Sequence, residues 1–383
     1  FRNVLSYVLA QIHCGHTSVR ASKPATKYAG RVRSWMFPLN IKAWNDTVVI
    51  TSNLSRSDTN VMRGSLLKSI DNRPIETIVD SMFRHISGDG YNLTHKFQTL
   101  SNGGVFRSLY GSIYGLKSKT PIEYIDTIGV LRKTQINLGI QAVDTARIRR
   151  ERQHPTPKKE KHKAFLQSQR NLRIDSSINT AFLEVNSFAS GNRLRRFFKT
   201  SFKKIHRQNI SNLVIDLRGN GGGSVILSNL LTKYISGKPF KIADTLYALK
   251  RGSQYHRYEN NYFLNHLFLL FLTHKKSDGH YHFTHYENKY FKTRKRNHFD
   301  GTTYILIGGN TFSAATLFTK ALVDQKNVIV VGEETGGGAY GNTAWLIPDV
   351  TLPNTKVRFR LPLFRLVIDK NAQKGRGVMP EVE

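Results

Sequence analysis

The spacing of apolar residues changes twice along the chain, and each change predicts a different kind of structure. In residues 1–13 apolar side chains recur every three or four positions, which predicts a helix with one buried face. Residues 36–82 alternate apolar and polar positions in short runs between turn residues, which predicts strands and one amphipathic helix. From about residue 176 onward, continuous apolar runs such as NLVIDL and YILIG alternate with helical patterns. Such runs are typical of strands that helices cover on both faces.

These patterns divide the chain into four parts. We predict an N-terminal helical segment (1–35), a strand-rich domain with a helical insertion (36–145), a basic linker (146–175) and an α/β core (176–383) with an insertion at 244–300. The linker is assigned because its sequence RIRRERQHPTPKKEKHK contains two prolines and few apolar residues. The alternation of strand and helix in the last part predicts the α/β fold class.

Length and composition exclude several classes of protein. With 383 residues, 39% of them hydrophobic, the chain can bury a sizeable core and does not have the profile of a disordered protein. No run reaches the ~18 apolar residues of a membrane span. The longest run, YFLNHLFLLFL at 262–272, is interrupted by polar residues and predicts a buried or lid helix. Cys14 is the single cysteine, which excludes an intrachain disulfide and fits either the cytoplasm or a disulfide-free envelope protein.

A net charge of +32, from 58 basic and 26 acidic residues, is the most unusual bulk property. It permits attraction to nucleic acid, anionic lipid or acidic polypeptide. The basic residues are spread along the chain, and no nucleic-acid-binding motif or zinc-finger spacing accompanies them. We therefore predict a solvated basic surface, with peripheral contact to an anionic surface as the alternative and no specific nucleic-acid partner.

The segment VIDLRGNGGGS (214–224) places three glycines between a buried strand and the start of a helix. Glycines in such a loop expose backbone N–H groups, which can hold a phosphate or stabilise an oxyanion. The segment lacks the Lys-Ser/Thr pair that follows the glycines of a P-loop, and its spacing differs from that of a dinucleotide site. Asp216 and Arg218 are expected to form a buried ion pair that holds the turn.

The segment GGNTFSAATLF (308–318) places Ser313 where a buried strand turns into a helix. A nucleophile at such a corner is exposed, and the helix N-terminus favours developing negative charge. The small residues Ala314 and Ala315 leave room for a substrate. The residues alone also allow Ser313 or Thr311 to be only the N-cap of the helix, so both interpretations stay open here.

Four ordered motifs resemble the tail-specific (carboxyl-terminal processing) serine peptidase family. They are VIDLRGNGGG, NTFSAATLF, VIVVGEETGGG and the closing KGRGVMPEVE, while GSLLKSIDNRPIETIV resembles the family's PDZ-like domain more loosely. The resemblance implies a mixed-sheet α/β core of the ClpP/crotonase-like type, preceded by an N-terminal helical segment and a PDZ-like domain. It also implies a serine endopeptidase that hydrolyses extended or unfolded polypeptides without a cofactor or metal. The family further suggests a bacterial cell envelope location, periplasmic or extracellular.

The matching positions imply a role for each site residue. Ser313 matches the nucleophile, which attacks a peptide carbonyl to form an acyl-enzyme. The oxyanion hole would be formed by the N–H of Ala314 together with that of Gly221 or Gly222, where a side chain would block the backbone donors. The same loops imply substrate contacts at Gly219, Asn220, Gly337 and Gly338.

The base distinguishes two branches of this family. One branch uses a lysine after the nucleophile helix, but Gly338 stands at the matching position and no lysine occurs between Lys326 and Lys356. The tricorn-like branch uses a histidine before the PDZ-like domain, and His16 in CGHTS matches it, with His13 as second choice. A histidine with a pKa near ~6.5 is able to accept the serine proton at neutral pH. The chain therefore resembles the Ser-His branch more than the Ser-Lys branch.

The acid that orients this base is left open between Asp369 and Glu334. Two other functions also stay open at this point, a non-catalytic peptide- or ligand-binding relative of the same fold and a basic protein that binds anions or nucleic acid. His280, His282 and His285 lack a common metal-ligand spacing. The insertion that carries them is expected to cover the cleft or contact substrate.

Overall fold

A computed structural model describes residues 1–29, 31, 34–55, 58–141 and 145–383. Within them the chain has a mixed α/β fold with three larger sheets. This confirms the fold class predicted from the alternation of strand and helix patterns.

The N-terminal part builds one antiparallel sheet with helices packed on it. The strand order is β3–β4–β5–β7–β8, and β6 pairs with β5. Its core contains fully buried apolar residues such as Ile50, Met82 and Phe106. The elements of this part are α1 (Arg2–Ala10), β1 (Val19–Arg20), α2 (Lys23–Ala29), β2 (Ser34–Met36), β3 (Leu39–Ala43), β4 (Val48–Asn53), β5 (Leu66–Ile70), β6 (Arg73–Pro74), α3 (Ile75–Phe83), α4 (Thr94–Ser101), α5 (Val105–Tyr114), β7 (Lys119–Ile125), β8 (Leu131–Asn137) and β9 (Gly139–Gln141).

The region predicted as a basic linker has regular structure instead. It contains the helices α6 (Thr145–Gln153) and α7 (Lys158–Gln169), followed by strand β10 (Arg170–Asp175). Proline is tolerated at a helix start, where its missing N–H leaves no bond unmade, and Pro157 directly precedes α7. The α7 side chains are not buried, so this helix needs no apolar face and its sequence lacks the apolar spacing that predicts a helix. The α7 part of the predicted basic linker is exposed but helical rather than a loop, and the core sheet begins at β10.

The central sheet of the C-terminal part has the order β10–β11–β12–β16–β17, and its last four strands are parallel. Helices cover it and bury residues such as Leu183, Ile215 and Ile305 completely. The remaining elements are β11 (Thr180–Val185), α8 (Leu194–Arg207), β12 (Asn212–Asp216), α9 (Val225–Thr232), β13 (Thr245–Ala248), α10 (Tyr262–Leu272), β14 (His274–Lys275), β15 (Tyr281–His282), α11 (Thr284–Glu287), β16 (Thr302–Ile307), α12 (Ala314–Leu322), β17 (Val328–Gly332), β18 (Gly341–Ala344), β19 (Asp349–Thr351), β20 (Arg358–Arg360) and β21 (Phe364–Val367).

Two further sheets, one of five strands and one of three, bring distant parts of the chain to this core. The insertion contributes β13, β14 and β15 to an antiparallel sheet whose order is β14–β15–β13–β21–β18. The N-terminal segment contributes β1, whose Val19 pairs with Phe359 of β20. The N-terminal segment is thereby fixed against the C-terminal part just after His16.

None of the helices in the described ranges is both long and apolar enough to cross a membrane. The most apolar long run, predicted as a buried or lid helix, forms α10 with 11 residues. Only Leu269 of this helix is buried, so most α10 side chains lie at the protein surface and do not fill a hydrophobic core.

Replacing Ile305 tests whether the parallel sheet is the stabilising core. The Ile305 side chain is fully buried in β16, so Ile305→Ala should lower the free energy of unfolding by about 2–5 kcal/mol. Ile178→Ala makes the same change at a side chain that is 56% exposed and should cost less than about 0.5 kcal/mol. Urea denaturation followed by circular dichroism measures both. Equal losses in the two variants would contradict this placement of the core.

Candidate active site

Ser313 occupies a strained backbone conformation at the corner between β16 and α12. Its φ is 54° and its ψ is −120°, a region that non-glycine residues rarely adopt. It stands at the N-cap position, but its side chain forms no capping hydrogen bond. The Thr311 hydroxyl is also used elsewhere, since it donates to the Leu217 carbonyl at 2.8 Å. The capping interpretation therefore fails for both residues, and the Ser313 hydroxyl is left available.

The glycine loop after β12 is fixed to the Ser313 loop by Asn220. The Asn220 amide donates to the Val185 carbonyl at 2.7 Å, and its side-chain oxygen accepts the Gly222 N–H at 2.8 Å. Its backbone carbonyl accepts the Phe312 N–H at 3.0 Å. Two predictions are corrected here. The Asn220 side chain is fully buried and so is not exposed to substrate, and the Gly222 N–H is already bonded to Asn220 rather than free for an oxyanion.

Gly222 contacts Ser313 so closely that no side chain fits. A Cβ on Gly222 would lie 2.7 Å from Ser313 Cβ and 3.0 Å from the Ala314 nitrogen, and the φ of Gly222 is +98°. The space beside the Ala314 N–H therefore stays open only because residue 222 is glycine. Gly223 and Ser313 both line a cavity that opens next to Ser313. A Cβ on Gly221 would meet nothing within 4 Å, so no close contact requires glycine at this position.

His16 lies against Phe312, the residue directly before Ser313. Its ring centroid is 5.0 Å from that of Phe312, and its side chain is only 7% exposed. Gly15 allows this approach, because a Cβ there would collide with the Phe312 ring. Neither ring nitrogen of His16 has a hydrogen-bond partner among the described residues, so the bond to Ser313 is not formed in this structure. His13, the second choice, is exposed and contacts the Gly90 carbonyl instead.

Asp89 is the carboxylate that the structure places beside His16. One of its oxygens lies 3.9 Å from His16 Nδ1 and accepts the Gly15 N–H at 2.8 Å. The other accepts the Gly338 N–H at 3.2 Å, and the side chain is only 2% exposed. The sequence reasoning missed Asp89 because SGDGYN has the composition of a turn. The one available signal was an acidic residue inside a short glycine-rich loop.

The two acids predicted from the motif positions have other partners. Asp369 pairs with Lys320 at 3.0 Å. Glu334 pairs with Arg376 at 2.9 Å and accepts the Gly377 N–H at 2.6 Å. Both carboxylates thus neutralise cations within the C-terminal part. We therefore replace Asp369 and Glu334 by Asp89 as the candidate orienting acid.

The surroundings of His16 change the acidity of two groups. Burial lowers the pKa of His16, but the nearby Cys14 thiol and Asp89 carboxylate raise it, and the net pKa is above the ordinary value. Burial raises the pKa of Cys14, but His16 and the Thr343 hydroxyl lower it, and the net pKa is below the ordinary value. His16 and Cys14 therefore each favour the charged form of the other.

A second histidine, missed by the sequence reasoning, packs against Phe312. The His95 ring lies 4.8 Å from the Phe312 ring, and its Nδ1 donates to the Gly309 carbonyl at 2.9 Å. Burial lowers the pKa of His95, which favours the neutral ring. The Nδ1–H bond holds His95 to the loop before Ser313, and Nε2 lies 3.5 Å from the Thr99 hydroxyl.

A largely apolar cavity of about 350 Å³ opens next to Ser313. The insertion contributes Phe268 and Tyr286 to its wall, so the segment expected to cover the cleft or contact substrate does line this cavity. The remaining apolar lining includes Leu317, Trp345 and Leu346. Its mostly apolar lining suits an apolar side chain.

The other glycines predicted to contact substrate lie in different surroundings. Gly337 packs on the nucleophile helix, where a Cβ would collide with the Thr316 hydroxyl and lie 3.1 Å from the Ser313 nitrogen. The Gly338 N–H donates to the Asp89 carboxylate. Gly219 lines a separate polar cavity of about 530 Å³ with Lys42 and Glu333. Near it, Arg218 and Asp216 pair at 2.7 Å, but the pair is partly exposed rather than buried as expected.

Comparison with known proteins identifies similar sequences and folds. Residues 179–383 match peptidase family S41. No curated protein matches the sequence. Among solved structures, mature CPAF is similar over the whole chain and 82% of its own length, with 14% identity and a TM-score of 0.65. Mature CPAF complexed with lactacystin is similar over 83% of its length, with 15% identity and the same TM-score. These likenesses to solved structures indicate a shared fold.

Substituting Gly222 tests the close approach of the glycine loop to Ser313. Gly222→Ala should lower the rate at which a fluorophosphonate probe labels Ser313 by about 100-fold or more, because the methyl group fills the space beside the Ala314 N–H. Gly191→Ala is the matched control, since a Cβ there meets nothing within 4 Å. Labelling is followed by intact-protein mass spectrometry, with urea midpoints as a check on folding. Similar labelling rates in a folded Gly222→Ala variant would contradict the assignment.

Proposed function

We propose that this chain, which belongs to peptidase family S41 and is a serine peptidase, cleaves polypeptides with Ser313 as nucleophile and His16 as base. The observation that carries the proposal is the strained Ser313 at the strand-to-helix corner, with Gly222 packed against its side chain. Such strain persists only where the surrounding structure enforces it, and it concentrates at active sites. The buried His16 ring, packed on the neighbouring Phe312, supports the choice of base.

In the proposed reaction the Ser313 hydroxyl attacks the peptide carbonyl while neutral His16 accepts its proton. The oxyanion accepts hydrogen bonds from the N–H groups of Ala314 and Gly223, which have no acceptor within the described part of the chain. Protonated His16 then gives its proton to the leaving amine, and water hydrolyses the acyl-enzyme in the same way. The His16 ring must shift to reach Ser313, and catalytic hydrogen bonds commonly tighten when substrate binds.

Several contacts favour the Ser-His branch over the Ser-Lys branch. The matching lysine position is Gly338, whose N–H donates to Asp89. Lys320, on the nucleophile's own helix, is paired with Asp369 at 3.0 Å and is only 19% exposed. A lysine held as an ammonium ion by a carboxylate cannot accept a proton from serine. Asp89 in turn is placed to stabilise His16 when it carries the proton.

The proposed substrate is an extended polypeptide with an apolar side chain next to the cleaved bond. The apolar cavity beside Ser313 supports this choice.

We further propose that residues 36–145 act as a PDZ-like domain that captures peptide as an added strand. Its outer strands β3 and β8 offer two sheet edges for that purpose. A bacterial cell envelope location is proposed from the family resemblance alone, and cell fractionation tests it.

Cleavage should depend on the protonation of His16. Burial lowers the pKa of His16, but Cys14 and Asp89 raise it enough that the net pKa exceeds the ordinary value of about 6.5. Arg360 acts in the opposite direction, and His95 also faces the ring. Only the neutral ring accepts the serine proton. The value of kcat/KM should therefore fall as pH is lowered through a midpoint above 6.5, measured on a fluorogenic peptide.

Variants of two carboxylates separate the candidate acids. Asp89→Asn should move the midpoint to lower pH, because the carboxylate that raises the pKa of His16 is lost. It should also lower the rate at neutral pH by about 100-fold, because no carboxylate then stabilises the ring when it carries the serine proton. Asp369→Asn is the control and should leave the midpoint in place, since Asp369 is paired with Lys320.

Ser313→Ala should abolish both cleavage and fluorophosphonate labelling. Failure of the probe to label Ser313 in the folded wild-type chain would contradict the proposal.

Peptides with an apolar residue on the acyl side of the cleaved bond should react fastest. Ile226 is 55% exposed in the cavity wall, and Ile226→Asp should lower kcat/KM for such peptides by about 10-fold. Ile178→Asp adds the same charge at an equally exposed position elsewhere and should leave the preference unchanged. Competition among peptides, read by mass spectrometry, measures the preference. Equal cleavage of apolar and acidic peptides by the wild type would rule out this use of the cavity.

A further inference from the structure

Three metal-binding side chains meet beneath the candidate active site. Within the described residues, Cys14, His16 and Asp89 each offer a ligand atom, and these atoms lie within 4.8 Å of one another. All three side chains are buried, with exposed fractions of 4%, 7% and 2%. Such a group is rare in a protein interior, because polar and ionisable side chains are seldom buried without a partner.

The His16 ring gives a second and independent indication of a ligand. Both of its nitrogens are buried and have no hydrogen-bond partner within the described residues. A buried polar group without a partner costs free energy that an ion or another ligand can offset. His282 shows the contrast, since both of its nitrogens are already used by Glu287 at 2.6 Å and Asp278 at 2.9 Å. The free nitrogens of His16 are therefore not a general property of buried histidines in this chain.

The other two ligands are held in place by the chain itself. Asp89 is fixed by the N–H groups of Gly15 and Gly338. The Cys14 sulfur lies 2.6 Å from the Thr343 hydroxyl. Each of these ligand atoms keeps lone pairs for a cation, because a carboxylate oxygen accepts more than one bond and a thiolate likewise. Little rearrangement is needed for all three to reach one ion.

The donor set selects the kind of cation. A sulfur, an imidazole nitrogen and a carboxylate oxygen suit Zn²⁺, which binds all three types at 2.0–2.3 Å in roughly tetrahedral geometry. Mg²⁺ and Ca²⁺ prefer oxygen ligands throughout and are disfavoured by the thiol. Three protein ligands leave a fourth position for water.

We propose that Cys14, His16 and Asp89 form a Zn²⁺ site whose occupation switches the peptidase off. The cation takes the imidazole lone pair that would otherwise accept the serine proton. Binding replaces the Cys14 thiol proton, which leaves to solvent, and involves no change of oxidation state. The inhibition rests on the proposed role of His16 as base, whereas the metal site itself does not depend on that role.

Cobalt spectroscopy tests the site without reference to activity. The full chain, stripped with a chelator, is titrated with Co²⁺ while the thiolate-to-cobalt charge-transfer absorption is recorded. One Co²⁺ per chain should bind, and Zn²⁺ should displace it because Zn²⁺ binds such sites more tightly. Cys14→Ser should remove the charge-transfer band and weaken Zn²⁺ binding by about 100-fold or more. Ser313→Ala should bind as the wild type does, and so should His162→Asn, a control at an exposed histidine.

Peptidase assays then test the switch. Zn²⁺ should inhibit the wild type reversibly, with recovery on adding chelator, and Cys14→Ser should need about 100-fold more Zn²⁺ relative to its own metal-free rate. Absence of the Cys14-dependent band overturns the metal site, whatever the peptidase activity. A bound metal that leaves cleavage unaffected overturns the switch. Metal binding to a chain that never labels at Ser313 supports the site and separately refutes the proposed catalytic function.

Discussion

A buried carboxylate holds the candidate active site together. Asp89 accepts the Gly15 N–H with one oxygen and the Gly338 N–H with the other, and it lies 3.9 Å from His16. These partners come from the N-terminal segment and from the loop that follows β17. A buried carboxylate is stable only where donors or positive charge compensate for lost water. The contacts that stabilise Asp89 therefore also fix His16 relative to the C-terminal loops.

Ser313 depends on a separate set of contacts. Ser313 and the glycine loop follow β16 and β12, which are neighbouring parallel strands, so both loops emerge at the same sheet edge. Asn220 bonds the two loops together, and this offsets a backbone strain of order 1–3 kcal/mol at Ser313. His16 is carried instead by a segment attached through β1 and β20. Ser313 and His16 are therefore held in place by different contacts.

Sequence alone predicted the part of the site that local patterns encode. Unbroken apolar runs predicted β12 and β16, and the motifs after them pointed to Ser313 and the glycine loop, which contact each other. The predicted use of the Gly222 N–H as an oxyanion donor does not fit, because that N–H is bonded to Asn220. Asp89 was not predictable, because its role depends on contacts with residues more than 70 positions away in sequence. The helices at 145–169 were missed for a different reason. The α7 side chains are not buried, so no apolar spacing marks that helix.

The coupling between the two halves of the site is most directly measured by NMR titration of His16. The chain is labelled with ¹³C-histidine, and the His16 signal is assigned by its loss in His16→Asn. If Ser313 and His16 act as a pair, a peptide boronic acid that forms an anionic adduct on Ser313 should raise the pKa of His16, because a nearby negative charge favours the protonated ring. A His16 titration that is unchanged by the adduct would contradict the pairing.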